Sequence, residues 1–214
     1  MELSKLFLLS PARMDGVRAG HLLRPGASFE LARRLRREGL PLAEAFTFAS
    51  GLYFRGKIAY ARRFGETPAG AVRVITTNAG LLDPRRRVRP ADLRRFGSVA
   101  IHHEDPRFHG PLRRHAAAWA RKLADDGLAV LLGSIATAKY REVLVDVFGD
   151  RLVFPEDFVG RGDMSRGALL LQAARQGREL PYIPVKGAKW SGERPEGWRA
   201  TWGRIGAPGA RREP

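Results

Sequence analysis

The string FVGRGDMSRGALLL (158–171) sets three glycines around Arg161, Asp163 and Arg166. Glycine lets a backbone turn sharply and approach a ligand closely. Two guanidiniums beside a helix start could clamp a phosphate, with Asp163 holding one of them and Ser165 capping the helix. The alternative is a glycine-rich turn with an Asp–Arg pair and no ligand. A second anion site is suggested by Gly133-Ser134, which follows an apolar run and reads as the start of a helix, with Thr137 and Lys139 close behind. Free N–H groups at such an end suit a phosphate or carboxylate. Ser134 could equally be a plain N-cap and Thr137 a surface residue. The Walker phosphate-loop motif is absent.

Other polar groups stand where apolar runs end. Ser10-Pro11-Ala12-Arg13, Thr76-Thr77-Asn78-Ala79-Gly80, His102-His103-Glu104-Asp105 and Gly133-Ser134-Ile135-Ala136-Thr137 each follow a run that reads as a strand. Ligands of open α/β sheets sit outside the carboxyl ends of their strands, so four such exits describe a binding crevice. Asn78 or Asp15 could orient a water there, with Asp163 as a further carboxylate. Tyr53 and Lys57, four residues apart, would share one helix face, and Tyr53 or Phe54 could stack on a base. Neighbouring histidines on an extended segment point to opposite sides, and no metal-binding motif accompanies them. No metal and no cofactor are expected.

The elements that must position these groups alternate. Short apolar runs at 5–9, 71–77, 98–102, 128–133, 151–154 and 182–185 read as strands. Helical spacing marks 28–38 (Ser28 as N-cap), 41–50, 52–64, a short helix opened by Pro90, 111–126 closed by Gly127, 134–148 and 164–176. The pattern predicts an α/β three-layer sandwich with a mostly parallel central sheet of about 4–6 strands. The domain is expected to span 1–185. Residues 186–214 read as a basic tail with Trp190, Trp198 and Trp202, which either pack on the domain or stack on unpaired bases.

Composition narrows the function classes. The chain has 214 residues, no cysteine and a formal net charge of +16. Without cysteine, disulfide frameworks, thiolate catalysis, zinc fingers and iron–sulfur clusters are excluded. No apolar run reaches the roughly 18 residues of a membrane span, so no membrane partner is expected. The run at 6–9 is too short for a secretory signal, which makes the cytoplasm the expected location. A monomer is the default.

Only six of the 38 basic residues are Lys. High-GC coding trades Lys for Arg, but it does not create a net excess of this size. Such a charge attracts polyanions. Arg85, Arg86, Arg87 and Arg89, with Arg94 and Arg95, form a run suited to nucleic-acid backbone contacts. DNA or RNA is therefore the expected partner.

Leu8-Leu9-Ser10-Pro11-Ala12-Arg13 resembles the opening of YaaA-type proteins. Gly51-Leu52-Tyr53, Lys57-Ile58-Ala59-Tyr60-Ala61 and the stretch from Val74 to Pro84 are similar to a related family of domains of unknown function. The Gly80-Leu81 turn, with Pro90-Ala91-Asp92-Leu93 after it, resembles the uracil-DNA-glycosylase-like core of archaeosine synthases. The resemblance runs over residues 3–145 in short motifs and implies a three-layer α/β domain that works on nucleic acids or modified bases. Asp15 and Asn78 take loop positions comparable to those of the glycosylase water site. The water-activating motif is not in its usual form, and the late His-Pro-Ser loop is missing.

The leading expectation is a nucleic-acid-acting hydrolase, a DNA glycosylase or modified-base-processing enzyme in base modification or repair. It would use Asn78, Asp15 and Asp163 for catalysis and Ser10, Arg13, Tyr53, Lys57, Ser134, Thr137, Lys139, Arg161 and Arg166 for binding. A non-catalytic DNA- or RNA-binding domain and an enzyme acting on a nucleotide or sugar phosphate are the alternatives.

Overall fold

The computed structural model describes residues 2–68, 70–102, 104–135 and 138–188. Its first strand, β1 (Leu3–Leu9), is the apolar run expected there, and Leu6 to Leu9 are fully buried. The chain then builds α1 (Val17–Leu23), α2 (Glu30–Arg37), β2 (Leu40–Pro41), α3 (Leu42–Ser50) and α4 (Leu52–Gly65). Strands β3 (Gly70–Ile75), β4 (Leu81–Leu82) and β5 (Arg87–Val88) follow, and then α5 (Pro90–Gly97) and α6 (Pro106–Ala120). The remaining elements are β6 (Leu123–Leu132), α7 (Ala138–Phe148), β7 (Leu152–Pro155), α8 (Asp163–Gln176) and β8 (Tyr182–Pro184).

Six strands form one sheet in the order β4-β3-β1-β6-β7-β8. The four central strands are parallel, and the edge strands β4 and β8 run antiparallel to their neighbours. β2 and β5 make a separate antiparallel ribbon. Helices cover both faces, as the expected three-layer α/β sandwich requires. Helices α4 and α8 pack together in one layer, and α6 and α7 in the other. Central parallel strands buried on both sides explain why β1 and the end of β6 read as continuous apolar runs.

The connections give the sheet a point of divergence. From β1 the chain leaves through α1–α4 and returns at β3, on one side of β1. From β6 it leaves through α7 and returns at β7, on the other side. Right-handed crossovers in opposite directions place their helices on opposite faces, so the exits of β1 and β6 part and leave a crevice.

Four expectations need correction. Residues 98–102 form no strand, and the chain passes from α5 to α6 there in turns and irregular backbone. The helix expected over 111–126 begins earlier and ends at Ala120: Pro106 starts it behind Asp105, whose carboxylate accepts from Arg107 N. Leu123 to Gly127 extend β6 instead, because Leu3 pairs with Leu123 and its N–H reaches Lys122 O at 2.7 Å. The helix expected from Ser134 starts only at Ala138. Ser28 does not cap α2 either, since Phe29 takes the N-cap position. Among the described residues no helix is long and apolar enough to cross a membrane.

Candidate functional site

At the divergence point β1 and β6 run side by side one residue past their last ladder pair, with Ser10 N donating to Leu132 O at 3.1 Å. Gly133 is needed for this approach: a β-carbon there would meet Ser10 Cβ and Tyr140 Oη, each at 2.7 Å. Beyond it opens a cavity of about 350 Å³. Ser10, Arg13, Tyr53, Lys57, Ser134, Lys139 and Asp163 line it together with Tyr140 and Ile101. Five segments distant in sequence thus meet at one strand end.

Lys57 is the least ordinary group in that wall. Its side chain comes from α4 and the residue is only 1% exposed. Nζ lies 2.9 Å from both Ser10 Oγ and Ser10 O. The ring of Tyr53, one turn earlier on α4, lies 4.4 Å from Nζ, centroid to atom, and that of Phe54 lies 5.0 Å away. Among the described residues no carboxylate pairs with Lys57 directly, and Asp163, on the first turn of α8, favours its charge only through space. Desolvation dominates and pushes the ammonium pKa down to about 7. Lys57 is therefore divided between amine and ammonium near neutral pH. As ammonium it donates to both Ser10 oxygens; as amine it can donate to the carbonyl and accept the Ser10 hydroxyl proton.

Two phenols complete the cluster. The Tyr140 hydroxyl donates to Ser134 O at 2.8 Å, and burial pushes its pKa up to about 12. Among the described residues the buried Tyr53 hydroxyl has no hydrogen-bond partner, and desolvation raises its pKa well above the phenol range despite the positive charge of Arg166 nearby. Both stay protonated and remain hydrogen-bond donors.

Other expected site residues are placed differently. Arg166 donates through Nε and Nη2 to Phe158 O at 3.2 and 3.0 Å, with Asp163 3.7 Å from its other nitrogen. Arg161 donates to Ser165 Oγ at 3.2 Å, so Ser165 holds an arginine and Gly162 is the N-cap of α8. Gly167 serves packing rather than ligand approach, for a β-carbon there would come within 2.8 Å of Tyr53 Cα. The Asn78 amide donates to Arg95 O at 2.8 Å and lies outside the cavity lining. Asp15 forms a two-pronged pair with Arg13 (3.1 and 2.9 Å) and lines a neighbouring hollow of about 450 Å³ with Thr77, Phe96 and Lys139. The Gly133-Ser134 helix start is corrected above, and Thr137 lies outside the described residues, as do Trp190, Trp198 and Trp202.

None of the arginines from 85 to 95 lines this cavity. β4 turns the chain back toward the amino end of β3, where Arg85 lines another hollow with Gly70, Arg73 and Trp119. Arg87 donates to Gly39 O at 2.9 Å, and Arg89 N is held by Asp92 Oδ2 at 2.8 Å. Arg86 is exposed just ahead of β5. Tyr140 escaped the sequence reading because it shares a helical stripe with core residues. Its position directly after Lys139, past the β6 exit, was the available signal. Among the described residues no group of three or more His, Asp or Glu is arranged to hold a metal ion. No protein-family model, curated protein or solved structure matches the chain.

Proposed function

We propose that the protein is a hydrolase acting on a nucleotide unit of DNA or RNA, which enters the cavity between the exits of β1 and β6. The observation that carries this reading is the buried Lys57 Nζ, 2.9 Å from Ser10 Oγ in the cavity wall. An amine with a pKa near 7 takes up and returns a proton at working pH, which general base catalysis requires. The volume suits a small ligand, within the range of about 300–1,000 Å³ usual for such pockets. Enzymes that act on a base take it out of the stack into a pocket of this kind.

In this reading each group has a role. Lys57 accepts the proton of a water attacking the sugar C1′, with Ser10 orienting that water. Tyr53 donates to the departing base, Tyr140 holds the cavity wall through Ser134 O, and the exposed Arg13 and Lys139 meet phosphates at the rim. The net charge of +16 supports a polyanionic partner and predicts strong salt dependence of binding.

The test pairs binding with cleavage. Labelled oligonucleotides bearing uracil, hypoxanthine or alkylated bases are titrated at several salt concentrations, incubated with the protein and treated with alkali. The expected result is salt-dependent binding and an alkali-labile site at one lesion, lost in Lys57→Met and Ser10→Ala. Binding without an alkali-labile site at any lesion overturns the hydrolase. Binding with no salt dependence overturns the nucleic-acid partner.

A further inference from the structure

Lys57 is enclosed more completely than a general base needs to be. A base can sit at the surface, whereas this amine is walled in by Ser10, Tyr53, Phe54 and Tyr140, with Asp163 and Arg166 on α8 beyond. A hydroxyl, a cavity and an unpartnered buried phenol thus surround one nitrogen. Lysines that form covalent imines with carbonyl substrates are held in this way, desolvated and free of a carboxylate partner.

We infer that Lys57 is a covalent nucleophile for an aldehyde-bearing sugar phosphate, and that its natural substrate is the deoxyribose left in DNA once the base has gone. This rests on the nucleic-acid reading above, because hydrolysis of the base leaves a sugar whose open form carries an aldehyde at C1′. The neutral Nζ attacks C1′ and forms a carbinolamine. Proton transfer from a neighbouring hydroxyl to its oxygen lets water leave, and a protonated imine remains. Loss of a C2′ proton then expels the 3′ phosphate by breaking the C3′–O bond. Water hydrolyses the resulting unsaturated imine, which releases the aldehyde and restores the Lys57 amine. No oxidant or reductant is consumed. Ser10 Oγ, 2.9 Å from Nζ, is placed to carry protons in the first and last of these steps.

Imines are trapped by borohydride, so the full chain is incubated with borohydride and either an abasic duplex oligonucleotide or 2-deoxyribose 5-phosphate, and then digested and mapped by mass. The expected result with the sugar phosphate is a peptide containing Lys57 that has gained the mass of the sugar phosphate less one oxygen. The abasic duplex should give a covalent protein–DNA band. Both signals should fall at least tenfold in Lys57→Met and Lys57→Arg. The wild-type map locates the adduct even if a variant folds poorly. No adduct with either probe, or an adduct confined to another amine such as Lys139, overturns the inference. Labelling of Lys57 by the sugar phosphate alone, with no binding of the duplex, upholds the nucleophile and overturns the nucleic-acid reading.

Discussion

Gly56 of α4 and Gly167 of α8 cross so closely that a β-carbon on Gly56 would stand 3.0 Å from Gly167 Cα and fall on the Gly167 carbonyl oxygen. The crossing sets the distance between the two helices that carry Lys57 and Tyr53 on one side and Asp163 and Arg166 on the other. The site therefore depends on two residues with no side chain. Gly56→Ala and Gly167→Ala should each destabilise the fold by about 1–3 kcal/mol, the usual cost of forcing extra atoms into a packed contact. Urea unfolding checks this, and a loss below about 0.5 kcal/mol would mean that the helices separate freely.

Lys57 should make stability depend on pH with a definite sign. Its pKa is depressed from about 10.5 in the unfolded chain to about 7 in the folded one. Between these values the unfolded chain binds the extra proton, so the Lys57 contribution to stability rises with pH, by up to about 1.4 kcal/mol per unit. Below pH 7 both states are protonated and the contribution is flat. Above pH 10 the raised pKa values of Tyr53 and Tyr140 act oppositely, because the unfolded phenols lose protons that the folded ones keep. The window from pH 7 to 10 belongs to Lys57. Urea unfolding across it should give a steeper rise in the wild-type chain than in Lys57→Met, and equal slopes would refute the burial of a titrating amine.

A second, half-buried network ties the sheet edge to α4. Tyr60 Oη accepts from Leu180 N at 2.8 Å and lies 2.7 Å from Tyr182 Oη. The Tyr182 hydroxyl donates to Glu179 at 2.7 Å, and Lys5 Nζ reaches the other Glu179 oxygen at 2.6 Å. The single proton of Tyr182 goes to Glu179, so Tyr60 must be the donor to Tyr182. Tyr60→Phe strips Leu180 N of its acceptor and should cost about 1–3 kcal/mol. Hydrogen exchange at the Leu180 amide reports it directly: exchange should speed up in the variant, and unchanged protection would show that another acceptor replaces the phenol.

The separation of Arg85 from the crevice has a measurable consequence. Arg13→Ala and Lys139→Ala should each weaken oligonucleotide binding and lower the salt slope by about 1, as expected when one phosphate contact is lost. Arg85→Ala removes a charge at the amino end of the sheet and should leave the slope unchanged. A fall in slope for Arg85→Ala alone would place the nucleic acid on the opposite end of the molecule.

The alternation of short apolar runs and amphipathic segments determined the class of this fold, because the stretches of strand buried on both faces are apolar and helices show their own period. It also put Tyr53 and Lys57 on one helix face and marked Ser10 and Ser134 as strand exits. Strand order is another matter. Only tertiary structure set β1 against β6, and that pairing joins Ser10 to Gly133 and makes the exits diverge. It also decided the fate of each polar side chain. Asn78 and Arg166 were spent on the backbone carbonyls of Arg95 and Phe158, while Lys57 was left in the cavity wall with no carboxylate partner. Hydrogen-bond partners and desolvation depend on which surfaces meet, and residues far apart in sequence carry no local signal of that meeting. The shift that makes Lys57 chemically distinctive comes from its neighbours, and a lysine read alone looks like any other.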